Sequence, residues 1–228
     1  MLLKTAICNN VLMHSDAWFG ARLGKITSSE FHLLMGPKGI GETGRNYLYR
    51  KVYEELSGLP SRKEISTEAT EHGLMYEPEN LREFGKHMGI EFLVQQKLIL
   101  SPNGRVGSTP DAIWPIRESS DKTAWDVCTV EAKCPASEHF INLWNCTTPE
   151  HIKEENKSYY YQVLHQMKVC DCLKGYLSIY NPFVRAGKLR VIEFRKIDLV
   201  KEFTLMEHRT QEAILIFTTQ RDKMLSAA

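Results

Sequence analysis

The sequence predicts an α/β fold with one mixed central sheet flanked by helices in a single domain. The 228 residues, of which 43% are apolar, are enough to build one sizeable core. The predicted elements run as helices, a cluster of strands, further helices, two strands and a final helix, without internal repeats. We expect a helical part at about 15–88, a sheet core at about 89–197 and a terminal helix at about 198–225.

Two short helices and a loop are predicted near the start of the chain. Ser15 is a suitable N-cap for a first helix, which Gly24 would end. A second helix is expected to begin in the segment Thr27–Glu30. The segment Gly36–Gly41 contains three glycines and a proline, which is typical of a loop.

Two longer helices are expected to follow. Apolar residues recur at helical spacing over Thr43–Leu56. A further helix covers about Thr67–His87 and contains Pro78, which leaves two interpretations open. The proline either bends one helix or stands in the first turn of a second, abutting helix.

The middle of the chain changes to extended, apolar segments. The expected strands are, in order, Ile90–Leu100, Arg105–Ser108, Asp111–Trp114 and Trp125–Lys133. A turn at Ser101–Gly104 and a polar loop at Glu118–Thr123 separate them.

Helices and strands alternate in the last third of the chain. A helix at Ser137–Cys146 and a long helix over Glu150–Cys172 precede strands at Gly175–Tyr180 and Leu189–Arg195. Asp198 is expected to cap the terminal helix, which carries an apolar stripe.

Composition restricts the partners and the compartment. The 29 basic and 28 acidic residues leave a net charge of +1, so a nucleic-acid partner needs a local basic surface. Six cysteines without zinc-site spacing indicate free thiols in a reducing cytoplasm. The sequence predicts neither a signal peptide nor a membrane span. We therefore expect a cytoplasmic protein of a bacterial or phage-infected cell, with no membrane partner.

One pattern of charged residues points to chemistry. Asp111 follows Pro110, and Glu131 and Lys133 are two positions apart on an apolar strand, so their side chains leave the same face. Carboxylates are hard ligands suited to Mg²⁺ or Mn²⁺, and an ammonium group offsets the charge of a phosphate. Glu77 adds a carboxylate from a predicted helix. The pattern predicts a nuclease site, although Glu-x-Lys also occurs on solvated strands and Asp111 could be a turn residue.

Five motifs make the sequence resemble a known family. They are Asp16-x-Trp18-x₃-Arg22-Leu23-Gly24-x-Ile26-Thr27-x-Ser29-Glu30, Gly73-x₃-Glu77, Thr109-Pro110-Asp111, Glu131-x-Lys133-Cys134-Pro135 and Tyr161-Gln162-Val163. In this order they resemble the phage-lambda-type alkaline exonucleases, the YqaJ-type viral recombinase nucleases of the restriction-endonuclease-like superfamily. The resemblance runs from about Ser15 to the final strands.

The resemblance implies a role for each matching residue. It assigns metal binding to Asp111, Glu131, the Ala132 carbonyl and Glu77, the last directly or through water. Lys133 would position or deprotonate the attacking water, and Gln162 would complete the site. The pocket for the DNA 5′-phosphate would be formed by Arg22, Ser29, Thr109 and Trp18. The family usually has serine at the position of Thr109, which keeps the hydroxyl.

The resemblance also implies an activity. The family expectation is a Mg²⁺-dependent 5′→3′ exonuclease that degrades one strand of duplex DNA from 5′-phosphorylated ends to mononucleotides. Two metal ions, for which Mn²⁺ could substitute, would stabilise the attacking and leaving oxygens. Their charge would also make Lys133 lose its proton more easily. The remaining 3′ single strand would pass to a single-strand annealing protein for recombination, and the enzyme would be a ring-shaped homotrimer.

Several alternatives remain open at the level of sequence. An endonuclease of the same superfamily would lack the end pocket, and a DNA-end-binding recombination protein would lack hydrolysis. Gln166 competes with Gln162 for its place in the site. His72, His139 and His165 are isolated histidines that we expect to be structural rather than metal ligands.

Overall fold

Nine strands, seven α-helices and one 3₁₀ helix form in the part of the chain that the structure describes. The computed structural model describes residues 6–8, 15–61, 67–90, 94–95, 98–118 and 125–227. The strands are β1 Ala6–Cys8, β2 Ile26–Thr27, β3 Val94–Gln95, β4 Leu98–Leu100, β5 Val106–Ser108, β6 Ala112–Glu118, β7 Trp125–Lys133, β8 Lys174–Tyr180 and β9 Leu189–Arg195. The α-helices are α1 Asp16–Arg22, α2 Glu42–Ser57, α3 Glu68–Met88, α4 Ser137–Asn145, α5 Pro149–Glu155, α6 Lys157–Val169 and α7 Val200–Leu225. The 3₁₀ helix is Ser28–Leu34.

Five strands form the mixed central sheet, in the order β3-β6-β7-β8-β9. Its central strand, β7, pairs antiparallel with β6 and parallel with β8. Pairing with β6 ends where Val130 meets Ala112, whereas pairing with β8 continues to Lys133. The last residues of β7 therefore extend past the start of β6 and leave one side of the strand open to other partners.

A second sheet of four short strands, in the order β1-β4-β5-β2, was not predicted. Within it β2 runs parallel to β5, with Ile26 opposite Val106 and Thr27 opposite Gly107. This pairing brings the start of the 3₁₀ helix, which follows β2, next to the chain that leads into β6. Residues from the N-terminal part are thereby placed beside the end of β7.

Helices cover both faces of the central sheet. Side chains alternate along β8, so that Tyr176 packs with Leu81 and Phe84 of α3, while Leu177 belongs to the cluster that includes α6. Gly175 allows α6 to lie close to the sheet, because a Cβ atom at this position would come within 2.6 Å of Met167 Cγ. The predicted fold class, a mixed sheet flanked by helices, is confirmed.

The N-terminal helices largely follow the prediction. Ser15 Oγ accepts the Trp18 N–H at 3.2 Å, and Gly24 has the left-handed φ of 69° expected after a helix end. The second predicted helix is the 3₁₀ helix. Pro78 lies within the single helix α3, so one continuous helix is present rather than two abutting ones.

Two predictions about the C-terminal third were wrong. The long helix predicted over Glu150–Cys172 is divided into α5 and α6, because Asn156 leaves the helical conformation and its side chain caps α6 by accepting the Tyr159 N–H at 3.1 Å. Asp198 does not cap α7. Its carboxylate accepts a hydrogen bond from Arg195 Nε at 2.6 Å, and Leu199 is the N-cap residue.

Three other sequence predictions lie partly or wholly outside the described residues. These are the N-terminal start, most of the polar loop Glu118–Thr123, and parts of the extended segment Ile90–Leu100. Within the described residues, no helix combines the length and the apolar character needed to cross a membrane.

Candidate active site

A pocket of about 680 Å³ lies at the carboxyl end of β7. Its lining comes from α1, the 3₁₀ helix, α3, the β5–β6 connection, β7 and α6. All ten residues selected from the sequence line this pocket: Trp18, Arg22, Ser29, Glu77, Thr109, Asp111, Glu131, Ala132, Lys133 and Gln162. Their convergence is observed, whereas their individual roles stay predictions.

Asp111 is fixed beside the open edge of β7. Because β6 begins only at Ala112, the Ala132 N–H has no partner on that strand, and Asp111 Oδ2 accepts it at 2.7 Å. Asp111 is 7% exposed and Glu131 is 1% exposed. The local geometry thus places two buried carboxylates next to each other.

Donors from two elements hold the Glu131 carboxylate. Its Oε1 accepts hydrogen bonds from Lys133 Nζ and from the amide of Gln162, and its Oε2 accepts one from the amide of Gln166. The two glutamines are one helical turn apart on α6, so both point to the same strand. Gln162 lines the pocket and Gln166 is fully buried. Both glutamines therefore contact Glu131, and their i, i+4 spacing was the signal for this in the sequence.

Like charges shape the electrostatics of this group. Burial raises the pKa of Asp111 well above its usual range, and the neighbouring Glu131 and Glu77 carboxylates raise it further, while Lys133 acts in the opposite direction. Burial by itself lowers the pKa of Lys133, but Glu131 and Asp111 together raise it above its usual value. The easier loss of a proton that we expect for Lys133 is an effect that depends on bound cations. The side chains around Lys133 raise its pKa instead.

The donor set fits a magnesium ion that is bound by few protein ligands. In the part of the chain that the structure describes, no group of three or more His, Cys, Asp or Glu side chains could hold a metal ion. Magnesium is commonly bound through one or two carboxylates, with water and substrate phosphates as the other ligands. Asp111 and Glu131, with the Ala132 carbonyl, match this pattern. Glu77 lines the same pocket, and its role at the metal, directly or through water, stays a prediction.

Helix α3 is attached to the end of β7 by side chains that the sequence did not single out for the site. The Asn80 amide donates to Lys133 O at 3.2 Å and to Ser178 O at 3.0 Å. His72 Nδ1 donates to Cys134 O at 2.9 Å, which suits the structural role predicted for this histidine. His72 and Asn80 are about two turns apart on α3, and together they hold the helix against the end of β7. Glu77 lies between them, so these contacts position it beside the pocket.

The opposite side of the pocket carries a fixed cation. Trp18 is 3% exposed, and the Arg22 guanidinium carbon lies 3.9 Å from the centroid of its ring. The two residues are four positions apart on α1. Stacking on an aromatic face restricts the guanidinium plane, which leaves its N–H fork arranged for a planar anion or a phosphate.

Hydroxyl groups complete this side. Ser28, Ser29, Ser108 and Thr109 all line the pocket. The Oγ1 atom of Thr109 is buried and has no hydrogen-bond partner among the described residues. Since a buried polar atom without a partner is destabilising, this hydroxyl is suited to a ligand. Ser28 and Ser108 were not selected from the sequence, and they are bonded to each other at 2.9 Å.

Comparisons with known proteins agree with the family resemblance of the sequence motifs. The sequence model of the YqaJ-like viral recombinase domain matches residues 17–173. Comparison with curated proteins gave no match. Among solved structures, the chain is similar to the alkaline exonuclease LHK-Exo from Laribacter hongkongensis, with a TM-score of 0.68 and 22% identity over 94% of this chain and 100% of that one.

Two further solved structures are similar. LHK-Exo in complex with dAMP has a TM-score of 0.68 and 23% identity, with 94% of this chain and 100% of that chain covered. A phage-related exonuclease from Haemophilus somnus 129PT has a TM-score of 0.62 and 14% identity, with 88% and 96% covered. At these identities the likeness establishes the fold, and it agrees with the predicted restriction-endonuclease-like class.

Proposed function

The chain belongs to the YqaJ-like viral recombinase family, and on this premise we propose that it is a Mg²⁺-dependent DNA exonuclease. It degrades one strand of duplex DNA from the end in the 5′→3′ direction, releases 5′-mononucleotides and leaves a 3′ single strand for recombination. One observation carries the proposal: the carboxylate pair and the Arg22–hydroxyl group line the same pocket of about 680 Å³. The groups suited to hydrolysis therefore lie beside groups suited to gripping a terminal phosphate.

The carboxylate side would provide the chemistry. Asp111, Glu131 and the Ala132 carbonyl would hold Mg²⁺, with two ions expected for the family and Mn²⁺ as a substitute. When bound, the metal supplies Lewis acidity at the phosphate and lowers the pKa of water. Gln166 keeps the Glu131 carboxylate oriented from behind. Lys133 and Gln162, which line the pocket, would position the attacking water as donors.

The opposite side would set the polarity. The Arg22 fork can donate two parallel hydrogen bonds to a terminal phosphate, and Trp18 reduces the freedom that the side chain loses on binding. Ser29 and Thr109 would add hydroxyl donors. A phosphate held at this position fixes which phosphodiester bond reaches Asp111 and Glu131, so each cut would remove one nucleotide. The dAMP complex of the similar exonuclease LHK-Exo is consistent with mononucleotide products.

Assembly and partners follow from the family and are part of the proposal. The chain would form a homotrimeric ring around DNA in the cytoplasm of a bacterial or phage-infected cell. A single-strand annealing protein would receive the 3′ strand. Light scattering gives the mass of the assembly, and a mass of one or two protomers would remove the trimer from the proposal.

The decisive experiment is digestion of linear duplexes labelled separately at each 5′ and each 3′ end, with Mg²⁺ or with EDTA. We expect 5′ label to appear first as mononucleotide, only with Mg²⁺, and 3′ label to remain in long single strands. A covalently closed circle should stay intact. Cutting of the circle would indicate an endonuclease, early release of 3′ label would reverse the polarity, and end binding without hydrolysis would indicate a non-catalytic recombination protein.

A further inference from the structure

Three buried polar side chains form a continuous chain that begins at the pocket wall. Ser28 Oγ lies 2.9 Å from Ser108 Oγ and 2.8 Å from His165 Nδ1. The exposed fractions of Ser28, Ser108 and His165 are 4%, 1% and 0%. Ser28 and Ser108 also line the pocket. The functions assigned above use none of the three.

The contact between the two serines, in which Ser28 Oγ is the donor, sets the direction of these hydrogen bonds. Ser28 has a single hydroxyl proton, which it donates to Ser108 Oγ. In its other contact Ser28 Oγ is therefore the acceptor, and His165 Nδ1 carries the ring proton. Burial lowers the pKa of His165 to about 3, so the ring is neutral and its second nitrogen has only a lone pair.

The surroundings of the second ring nitrogen agree with this direction. His165 Nε2 is buried and has no hydrogen-bond partner among the described residues. A buried N–H without an acceptor is rarer than an unused acceptor, so the tautomer with a lone pair at this atom is favoured. One face of the ring is covered by Phe31, with ring centroids 4.3 Å apart.

We propose that this relay, from His165 through Ser28, directs the hydroxyl proton of Ser108 into the pocket as an additional donor to the terminal phosphate of DNA. Ser108 Oγ already accepts the Ser28 proton, so its own proton must point elsewhere, and Ser108 borders the pocket. The inference rests on the proposed function, in which this pocket takes a 5′-phosphate. Ser108 is then a phosphate-binding residue, and Ser28 and His165 are positioning residues.

The direction of the relay matters for anion binding. If the bonds ran the other way, Ser108 would present lone pairs to the pocket and repel a phosphate oxygen. The inferred direction presents a proton, and the next residue, Thr109, has a buried hydroxyl without a partner among the described residues. Two consecutive hydroxyls and the Arg22 fork would then meet one phosphate, each as a donor.

Binding in EDTA tests the inference without hydrolysis. Fluorescence anisotropy compares duplexes that differ only in a 5′-phosphate or a 5′-hydroxyl, and gives the ratio of the two affinities. Ser108→Ala should lower this ratio about tenfold, since a hydrogen bond to a charged group is lost. Ser108→Cys should lower it nearly as much, because a thiol of similar shape is a weak donor.

The positioning residues have their own matched pair. His165→Leu removes the donor to Ser28 and should lower the ratio about threefold, because a hydroxyl that is free to rotate donates less effectively. His165→Asn keeps an amide N–H near the position of Nδ1 and should preserve the ratio. Ser158→Ala is the control, since that hydroxyl bonds Asn156, the N-cap residue of α6, and Ser158 is not among the residues that line the pocket. Thermal unfolding establishes that each variant is folded.

The possible outcomes separate this inference from the proposed function. Unchanged ratios in both Ser108 variants, with a 5′-phosphate preference in the unaltered chain, overturn the relay and leave the function standing. A lack of preference in the unaltered chain overturns the end pocket itself. Long-range ¹H–¹⁵N spectra identify the protonated nitrogen of His165 without DNA. Protonation at Nδ1 supports the stated direction, and protonation at Nε2 overturns it.

Discussion

The two walls of the pocket differ in how far protein partners already satisfy their polar groups. On the carboxylate wall, formed by Asp111, Glu131 and Lys133, protein donors occupy the carboxylates: the Ala132 N–H binds Asp111, and Lys133 and two glutamine amides bind Glu131. On the phosphate wall, formed by Arg22, Ser29, Ser108 and Thr109, the buried Thr109 hydroxyl has no partner among the described residues. The two carboxylates have to exchange partners when a ligand arrives, whereas the Thr109 hydroxyl would gain one.

This difference has consequences for stability and for function. Burial and mutual repulsion of the carboxylates raise the pKa of Asp111, so its ionised carboxylate destabilises the folded chain at neutral pH. The phosphate wall contains an unused hydrogen-bonding group instead of a repelled charge. Replacing Asp111 by a neutral residue should therefore stabilise the fold while removing chemistry, and substitutions on the phosphate wall should change end recognition.

Asp111→Asn should have the largest effect. The amide oxygen can still accept the Ala132 N–H, but the variant loses a carboxylate ligand, so we expect hydrolysis to fall by at least about 10³-fold, since metal ions contribute several kcal/mol to such reactions. Duplex binding should be retained, and the free energy of unfolding in urea should rise. The control is Asp198→Asn, which removes an exposed partner of Arg195. Unchanged hydrolysis would take Asp111 out of the site.

Arg22→Ala tests the phosphate wall at its cation. Loss of a bidentate, charge-assisted contact should lower kcat/KM on 5′-phosphorylated duplex ends by about tenfold to a hundredfold relative to 5′-hydroxyl ends. Arg22→Lys keeps the charge but not the planar fork, and should give an intermediate value. The exposed Arg45 lies outside the pocket lining, so Arg45→Ala is the control. An unaltered end preference in Arg22→Ala would remove Arg22 from the proposed end pocket.

Two buried groups, His165 and Asp111, should make the stability of the fold respond to acid in opposite directions. The pKa of His165 is lowered to about 3 in the fold, so the unfolded chain binds a proton below about pH 6.5 that the folded chain does not. Its contribution to stability is complete above about pH 6.5 and is lost at up to about 1.4 kcal/mol per pH unit as the pH falls toward 3. Asp111 has a raised pKa in the fold, so its protonation favours the folded chain as the pH falls.

Urea unfolding between pH 5 and pH 8 measures this contrast. His165→Asn should flatten the loss of stability on the acid side, because the amide does not titrate. Asp111→Asn should steepen that loss, because it removes the compensating gain. His208→Asn, at an exposed position of α7, serves as the control. Parallel profiles for all three variants would refute the assignment of opposite signs.

The carboxylate wall was predictable because its signals are local or lie in recognisable motifs. Pro110-Asp111 and Glu131-x-Lys133 set strand geometry over a few residues, and the family resemblance joined them across the chain. The phosphate wall was predicted only in part. Ser28 and Ser108 are 80 residues apart, and their contact depends on the parallel pairing of β2 with β5, which no local pattern indicated.

The errors in secondary structure have a common cause. Side chains that compete with the helix decided the boundaries: Asn156 caps α6 inside a segment with continuous helical periodicity, and Asp198 binds Arg195 instead of capping α7. A sequence pattern indicates which residues are able to cap a helix, but which of them do so depends on the tertiary contacts of the fold. The attachment of α3 by Asn80 to Lys133 and Ser178 depends in the same way on where the sheet lies.

Thr109→Val should have the smallest effect and separates the two walls most directly. Valine has nearly the shape of threonine without the hydroxyl, whose Oγ1 is buried without a partner among the described residues. Removing an unsatisfied buried hydroxyl should leave the free energy of unfolding unchanged or raise it by up to about 1 kcal/mol. The same change should reduce the preference for 5′-phosphorylated ends a few-fold, whereas Thr109→Ser should preserve it. A fall in stability would mean that the hydroxyl already has a partner in solution, and the phosphate wall would then resemble the carboxylate wall in having to exchange partners.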